Sequence, residues 1–301
     1  MAELNIKGYV VPEALHSENA GNSSWGCAFK NGKKYFIKQL KETYYDIPYA
    51  EASAFQREDM EISRLFYDRM TKLLGEIKSA DNGNIVAPIE FIRQGGHYYI
   101  VSEWVDQFSD FGEIRGFTPF NKHLMMKVLA YSIYGLSEHH IVHCDLKPDN
   151  IRIKETINKA KTLKIIDFDS GFIEGEYPQM MGGTPTYMAP ELIVRVRQDE
   201  DGEIPFEKRI PVTTKSDIFS LGLIFHEILT GNLPKWSNPK FKDIGIAVGY
   251  DDKVHISSQI PYDYAELIRL MLLKEPTQRP DAIFVFQKLS AIDPMKLNDR
   301  R

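Results

Sequence analysis

The chain has 301 residues, 43% hydrophobic and 26% charged, which is enough apolar material for one large domain or two packed lobes. Its net charge of −5 gives no overall basic footprint, so neither nucleic acid nor an anionic membrane is an expected partner. Cys27 and Cys144 lack disulfide or zinc-site spacing, the start MAELNIKGYV does not resemble a signal peptide, and no run approaches the roughly 18 apolar residues of a membrane span, so a cytoplasmic, reducing location is expected.

In chain order, WGCAFK and KYFIKQL flank Asn31 and Gly32, a pair suited to a tight hairpin because both tolerate positive φ. Phe55, Ile62, Leu65, Phe66, Leu73 and Leu74 then recur near helical spacing, and VAPIEFIRQ and HYYIVSEWV read as two strands around Gly95 and Gly96. Residues 103–116 read as a linker. Beyond it HLMMKVLAYSIYGLSEHH, DIFSLGLIFHEILTG and AELIRLMLLK read as helices, so the composition shifts near Asp106 from mostly sheet to mostly helix. The polar run RQDEDGE, residues 197–203, reads as a solvated surface loop, and the span from Glu191 to Asp217 that holds it could alternatively form a docking surface.

The segment His143-Cys144-Asp145-Leu146-Lys147-Pro148-Asp149-Asn150 resembles the catalytic loop of protein kinases, matching it at His143, Asp145, Lys147, Pro148 and Asn150. Taken alone, a polar turn whose Asp and Asn cap backbone groups would also explain it. Further matches follow in the family's order. Leu163-Lys164-Ile165-Ile166-Asp167-Phe168-Asp169 is a strand ending in a carboxylate, Gly183-Thr184-Pro185-Thr186-Tyr187-Met188-Ala189-Pro190-Glu191 is similar to the end of an activation segment, and Arg279 matches the arginine that pairs with Glu191.

The chain thus resembles a eukaryotic-type serine/threonine protein kinase catalytic domain. That resemblance implies an α+β, two-lobed fold, with a small antiparallel-sheet lobe carrying one main helix over residues 1–105 and a larger, mostly helical lobe over 106–301. It implies transfer of the γ-phosphoryl group of ATP, with Mg2+ (or Mn2+ in its place), to serine or threonine hydroxyls of protein substrates. Asp145 would accept the proton of the attacking hydroxyl, Lys147 would offset phosphoryl charge, Thr184 would touch both, and Asn150 and Asp167 would hold the metal. Lys38 would contact the α and β phosphates, with Glu61, in preference to Glu58, as its helix partner.

The pattern departs from the family around the nucleotide. Glu18, Ala20 and Ser23 fall at the three positions of the glycine-rich loop, leaving Gly21 within it. Trp25 and Phe36 stand where small roof residues face adenine, and Arg152 stands at an apolar floor position, where its guanidinium could sandwich the base or point outward. Ser102 would lie at the back of the pocket, and the backbone of Glu103 and Val105 would face the base edge. Cys144 replaces an arginine that answers a phosphorylated loop in many relatives, so no priming phosphate is expected. A pseudokinase scaffold is the alternative function, and a small-molecule kinase a third.

Overall fold

Asn31 and Gly32 both take positive φ, 51° and 73°, and the chain on either side pairs in antiparallel register from Ser24 with Gln39 to Lys30 with Lys33. That hairpin organises the first of two units in the structure, a computed structural model that describes residues 4–17, 23–105, 108–156 and 160–298. The unit comprises Met1–Ser79 and Val86–Asp106. Its strands are β1 (Leu4–Ile6), β2 (Tyr9–Val11), β3 (Ser24–Lys30), β4 (Lys33–Thr43), β5 (Pro88–Gln94) and β6 (His97–Glu103), and its helix is α1 (Ala54–Ala80). All six strands form one antiparallel sheet in the order β1-β2-β3-β4-β6-β5.

Side chains alternate across that sheet. Ile6, Val11, Ala28, Ile37, Ile92 and Val101 make a core on one face. Helix α1 is anchored to β6 through Tyr98, whose hydroxyl donates to the Ser63 carbonyl at 3.0 Å and whose ring meets Phe66 and Tyr67. Only part of the apolar series expected for this helix faces inward. Met70, Leu73, Leu74 and Ile77 are buried, whereas Phe55, Ile62 and Leu65 are 69%, 47% and 53% exposed.

The second unit comprises Ala80–Ile85 and Gln107–Arg301. Its short strands are β7 (Phe108–Ser109), β8 (Ile141–Val142), β9 (Ile151–Glu155), β10 (Lys161–Ile165), β11 (Phe172–Ile173), β12 (Lys235–Trp236) and β13 (Val254–His255). Its helices are α2 (Pro119–Glu138), α3 (Pro190–Asp201), α4 (Lys215–Thr230), α5 (Ile244–Gly249), α6 (Tyr262–Met271) and α7 (Ala282–Ala291). Helix α4 is apolar on every side, from Ile218 and Phe219 to Ile228, and is accordingly buried as the centre of the unit. The stretch read as a linker contains β7 and a 3-10 turn over Phe111–Gly116. The polar run beginning at Arg197 is not a loop at its start: α3 continues to Asp201, capped by Gly202 at φ 66°, and Asp199 is buried.

A bidentate ion pair closes the unit on itself. Arg279, 0% exposed, donates from Nη1 and Nη2 to the two carboxylate oxygens of Glu191 at 2.7 and 2.8 Å. Its remaining N–H groups go to the carbonyls of Leu273, Lys215 and Lys274, so all five donors are used.

Candidate active site

The loop between β8 and β9 is held in a conformation that few residues adopt freely. Cys144 has φ 68°, in the left-handed region, which costs roughly 1–2 kcal/mol for a residue with a Cβ. Asp217, near the start of α4, compensates: its Oδ2 accepts the N–H of His143 at 2.7 Å and its Oδ1 that of Cys144 at 3.1 Å. Burial pushes the Asp217 carboxyl up to about 6, against His143 and the two backbone donors, which pull it down. His143 Nε2–H donates to the Ile166 carbonyl at 3.1 Å, and its ring packs on Phe168.

Immediately after this strained residue comes a polar cluster. The Asp145 carboxylate lies 2.7 Å from Lys147 Nζ, accepts the Thr184 hydroxyl at 2.7 Å and accepts Asn150 Nδ2 at 3.2 Å. Lys147 also donates to Thr184 Oγ1 at 2.7 Å, closing a triangle of carboxylate, ammonium and hydroxyl. The side chains of Asp145 and Lys147 are only 16% and 20% exposed, so water screens the triangle weakly. Asn150 spends its amide nitrogen on Asp145, and its Oδ1 has no hydrogen-bond donor among the described residues. Asp167, two residues beyond the end of β10, is exposed and held at φ 66°. Four sequence candidates, Asp145, Lys147, Asn150 and Thr184, are therefore brought into direct contact although Thr184 is 39 residues from Asp145.

In the sheet unit, Trp25 pairs opposite Lys38, and Phe36 opposite Ser102, which places all four on the face away from the Ile37 core. The Trp25 and Phe36 rings stack at 5.8 Å and 21°. Glu103 ends β6, and Val105 follows in coil, half-buried. Gly21, with Glu18 and Ala20, lies outside the described residues. The expected partnership of Lys38 with Glu61 is not formed: Arg64, three residues on, holds both Glu61 oxygens at 2.7 and 3.0 Å in an exposed pair on the outer side of α1. Glu58 is exposed as well. Nearer the core α1 presents Arg69, whose pKa burial lowers while Glu42 raises it. In the helical unit, Arg152 on β9 donates to Asp110 Oδ1 at 2.7 Å.

The sequence reading did not single out Asp199 or Arg195. Their spacing of four residues, beside the apolar Leu192 and Val196 on the same helix, was the available signal.

A sheet unit with one long helix, a helical unit, and a carboxylate gripped by lysine, threonine and asparagine define the two-lobed α+β class of kinase-like proteins. Residues 56–289 match the family described as "Protein kinase domain", and the chain belongs to that family. It is 26% identical over 264 residues to the serine/threonine-protein kinase pkn3 of Myxococcus xanthus, covering 79% of this chain and 42% of that protein. It is also 26% identical over 240 residues to the serine/threonine-protein kinase ATG1c of Arabidopsis thaliana, covering 73% and 30%. With the putative serine/threonine-protein kinase/receptor R826 of Acanthamoeba polyphaga mimivirus it shares 29% identity over 222 residues, covering 70% and 12%. The chain thus spans less than half the length of these relatives. No helix among the described residues is long and apolar enough to cross a membrane.

Proposed function

We propose that the chain transfers the γ-phosphoryl group of ATP to serine or threonine hydroxyls of protein substrates. The observation that carries this reading is the triangle at Asp145: one oxygen accepts Thr184, and Lys147 sits against the other at 2.7 Å. A carboxylate so held, next to an ammonium, suits a base that orients and deprotonates a hydroxyl while adjacent positive charge offsets the phosphoryl oxygens. The names of the relatives support serine and threonine as acceptors.

The Oδ1 of Asn150 and the carboxylate of Asp167 are hard oxygens of the kind that hold Mg2+ or Mn2+. When bound, the cation would neutralise charge between the phosphates. We assign nucleotide binding to residues 1–105 and acceptor binding and proton transfer to 106–301. Lys38 would hold phosphate oxygens. Trp25, Phe36 and Ser102, with the backbone of Glu103 and Val105, would line the base pocket. A cytoplasmic setting is part of the same proposal.

The test is transfer of labelled γ-phosphate from ATP with Mg2+ to a generic basic protein, comparing wild type with Asp145→Asn and Lys38→Met. Label on serine or threonine, reduced in both variants by roughly two orders of magnitude or more, supports the reading. A pseudokinase scaffold is the second reading, favoured by the capture of Glu61 by Arg64. Neither labelling nor ATP binding by wild type would establish it.

A further inference from the structure

Asp199 belongs to a run of charges, yet its side chain is 0% exposed. Its Oδ2 accepts the backbone N–H of Met181 at 2.9 Å. Its Oδ1 accepts Arg195 Nε and Arg209 Nη1, each at 2.8 Å. Arg195 lies between the rings of Tyr177 and Phe206, 5.0 and 4.9 Å from their centroids, and donates to the Ile210 carbonyl at 3.2 Å. Its Nη2 is buried without a hydrogen-bond partner, so the guanidinium is fixed by Asp199, Ile210 and the two rings alone. Three stretches of chain, residues 177–181, helix α3 and residues 204–210, therefore meet at one buried carboxylate.

Met181 is three residues before Thr184, at most about 10 Å of extended chain. The path between them has little slack. Cys144 Sγ lies 3.4 Å from the Gly182 carbonyl, and at Gly183 (φ 150°) a Cβ would stand 2.7 Å from the Cys144 carbonyl oxygen. Fixing the Met181 amide thus fixes the route by which Thr184 reaches Asp145. Residues 171–183 contain no serine or threonine, and Tyr177, their one hydroxyl, is half-buried against Arg195. Met180, beside the anchor, is 65% exposed and carries no group a phosphate could join.

We infer that Asp199, held by Arg195 and Arg209, is a positioning residue. It clamps the 177–184 segment for acceptor binding with charges the protein carries permanently, in place of an added phosphate. The inference rests on the phosphotransfer reading for its effect on turnover and on the geometry alone for the clamp. Two guanidiniums on one oxygen fix the orientation of the carboxylate and leave its other oxygen aimed at the Met181 N–H.

The experiment uses the full chain after phosphatase treatment and measures amide hydrogen exchange at Met181 together with KM for a basic protein acceptor and for ATP. Asp199→Ala risks leaving two buried arginines uncompensated and failing to fold, so the variants are Arg209→Ala, at the rim with 12% side-chain exposure, its conservative partner Arg209→Lys, and Asp199→Asn. In Arg209→Ala and Asp199→Asn, Met181 exchange should accelerate and acceptor KM should rise, each about tenfold, with ATP KM unchanged. Arg209→Lys should restore most of both. Met181 exchange at the wild-type rate in both variants, acceleration spread evenly through α2 and α4, or loss of wild-type transfer on phosphatase treatment would overturn the inference. If wild type transfers no label before or after treatment, the phosphotransfer reading fails, and the exchange rates still decide whether the clamp exists.

Discussion

The one hydroxyl of Thr184 joins two charged groups, accepting from Lys147 and donating to Asp145, each at 2.7 Å. Thr184→Ala removes both bonds of a charged pair and should lower kcat roughly ten- to a hundredfold in the labelled-phosphate assay, while Thr184→Ser should keep most of it. A second residue-scale prediction concerns His226 on α4. Its Nδ1 faces the Asn232 carbonyl at 2.6 Å, and its Nε2 faces the Ser257 N–H at 3.2 Å, an arrangement that fits the neutral ring with the proton on Nδ1. Burial holds its pKa below the ordinary 6.5, although the Asn232 carbonyl pulls it upward. The unfolded chain therefore binds a proton near pH 6.5 that the folded chain refuses. Stability from this group is complete above that pH and is lost as pH falls below it. Urea midpoints between pH 8 and 5 should show the decline, and His226→Gln should make it shallower.

At the scale of the element, α5 is placed by a missing side chain. A Cβ at Gly245 would lie 2.2 Å from the Met188 carbonyl oxygen and 2.8 Å from Ile193 Cδ1, so the helix approaches the segment after Thr184 as closely as backbone allows. Gly245→Ala should destabilise by about 1–3 kcal/mol by denaturant titration, since the obstructing atom is main chain and cannot rotate aside. Gly249→Ala, on the same helix, meets only the Pro190 Cβ at 3.6 Å and should be nearly neutral. Helix α1 gives the complementary lesson. Its N-terminal half exposes large apolar residues, and its core contacts are concentrated from Met70 onward, so periodicity marked the helix without marking which turns are buried.

For the molecule as a whole, the Glu191 and Arg279 pair joins positions 88 residues apart at a buried site. Arg279→Lys keeps the charge but cannot reproduce five directed donors, and should cost about 3–5 kcal/mol in a denaturation experiment. Legibility followed the same division between local and distant. The loop from His143 to Asn150 could be read because its chemistry needs specific side chains within eight consecutive residues. The hairpin at Asn31 and Gly32 could be read because positive φ is a local demand. Asp199 was missed because charge composition does not say which acid of a run turns inward, and apart from Arg195 its partners Met181 and Arg209 come from other segments. Glu61 misled because a glutamate on a helix satisfies the nearest cation, and Arg64 was three residues away.

The separation of Glu191 from Arg279 also sets an order of events during synthesis. At roughly 5–20 residues per second a ribosome needs about 4–18 s to pass from one to the other. Through that interval the Glu191 carboxylate is without the Arg279 guanidinium that holds both its oxygens in the folded unit. The nascent larger unit therefore lacks this closing contact until nearly its last helix has been made.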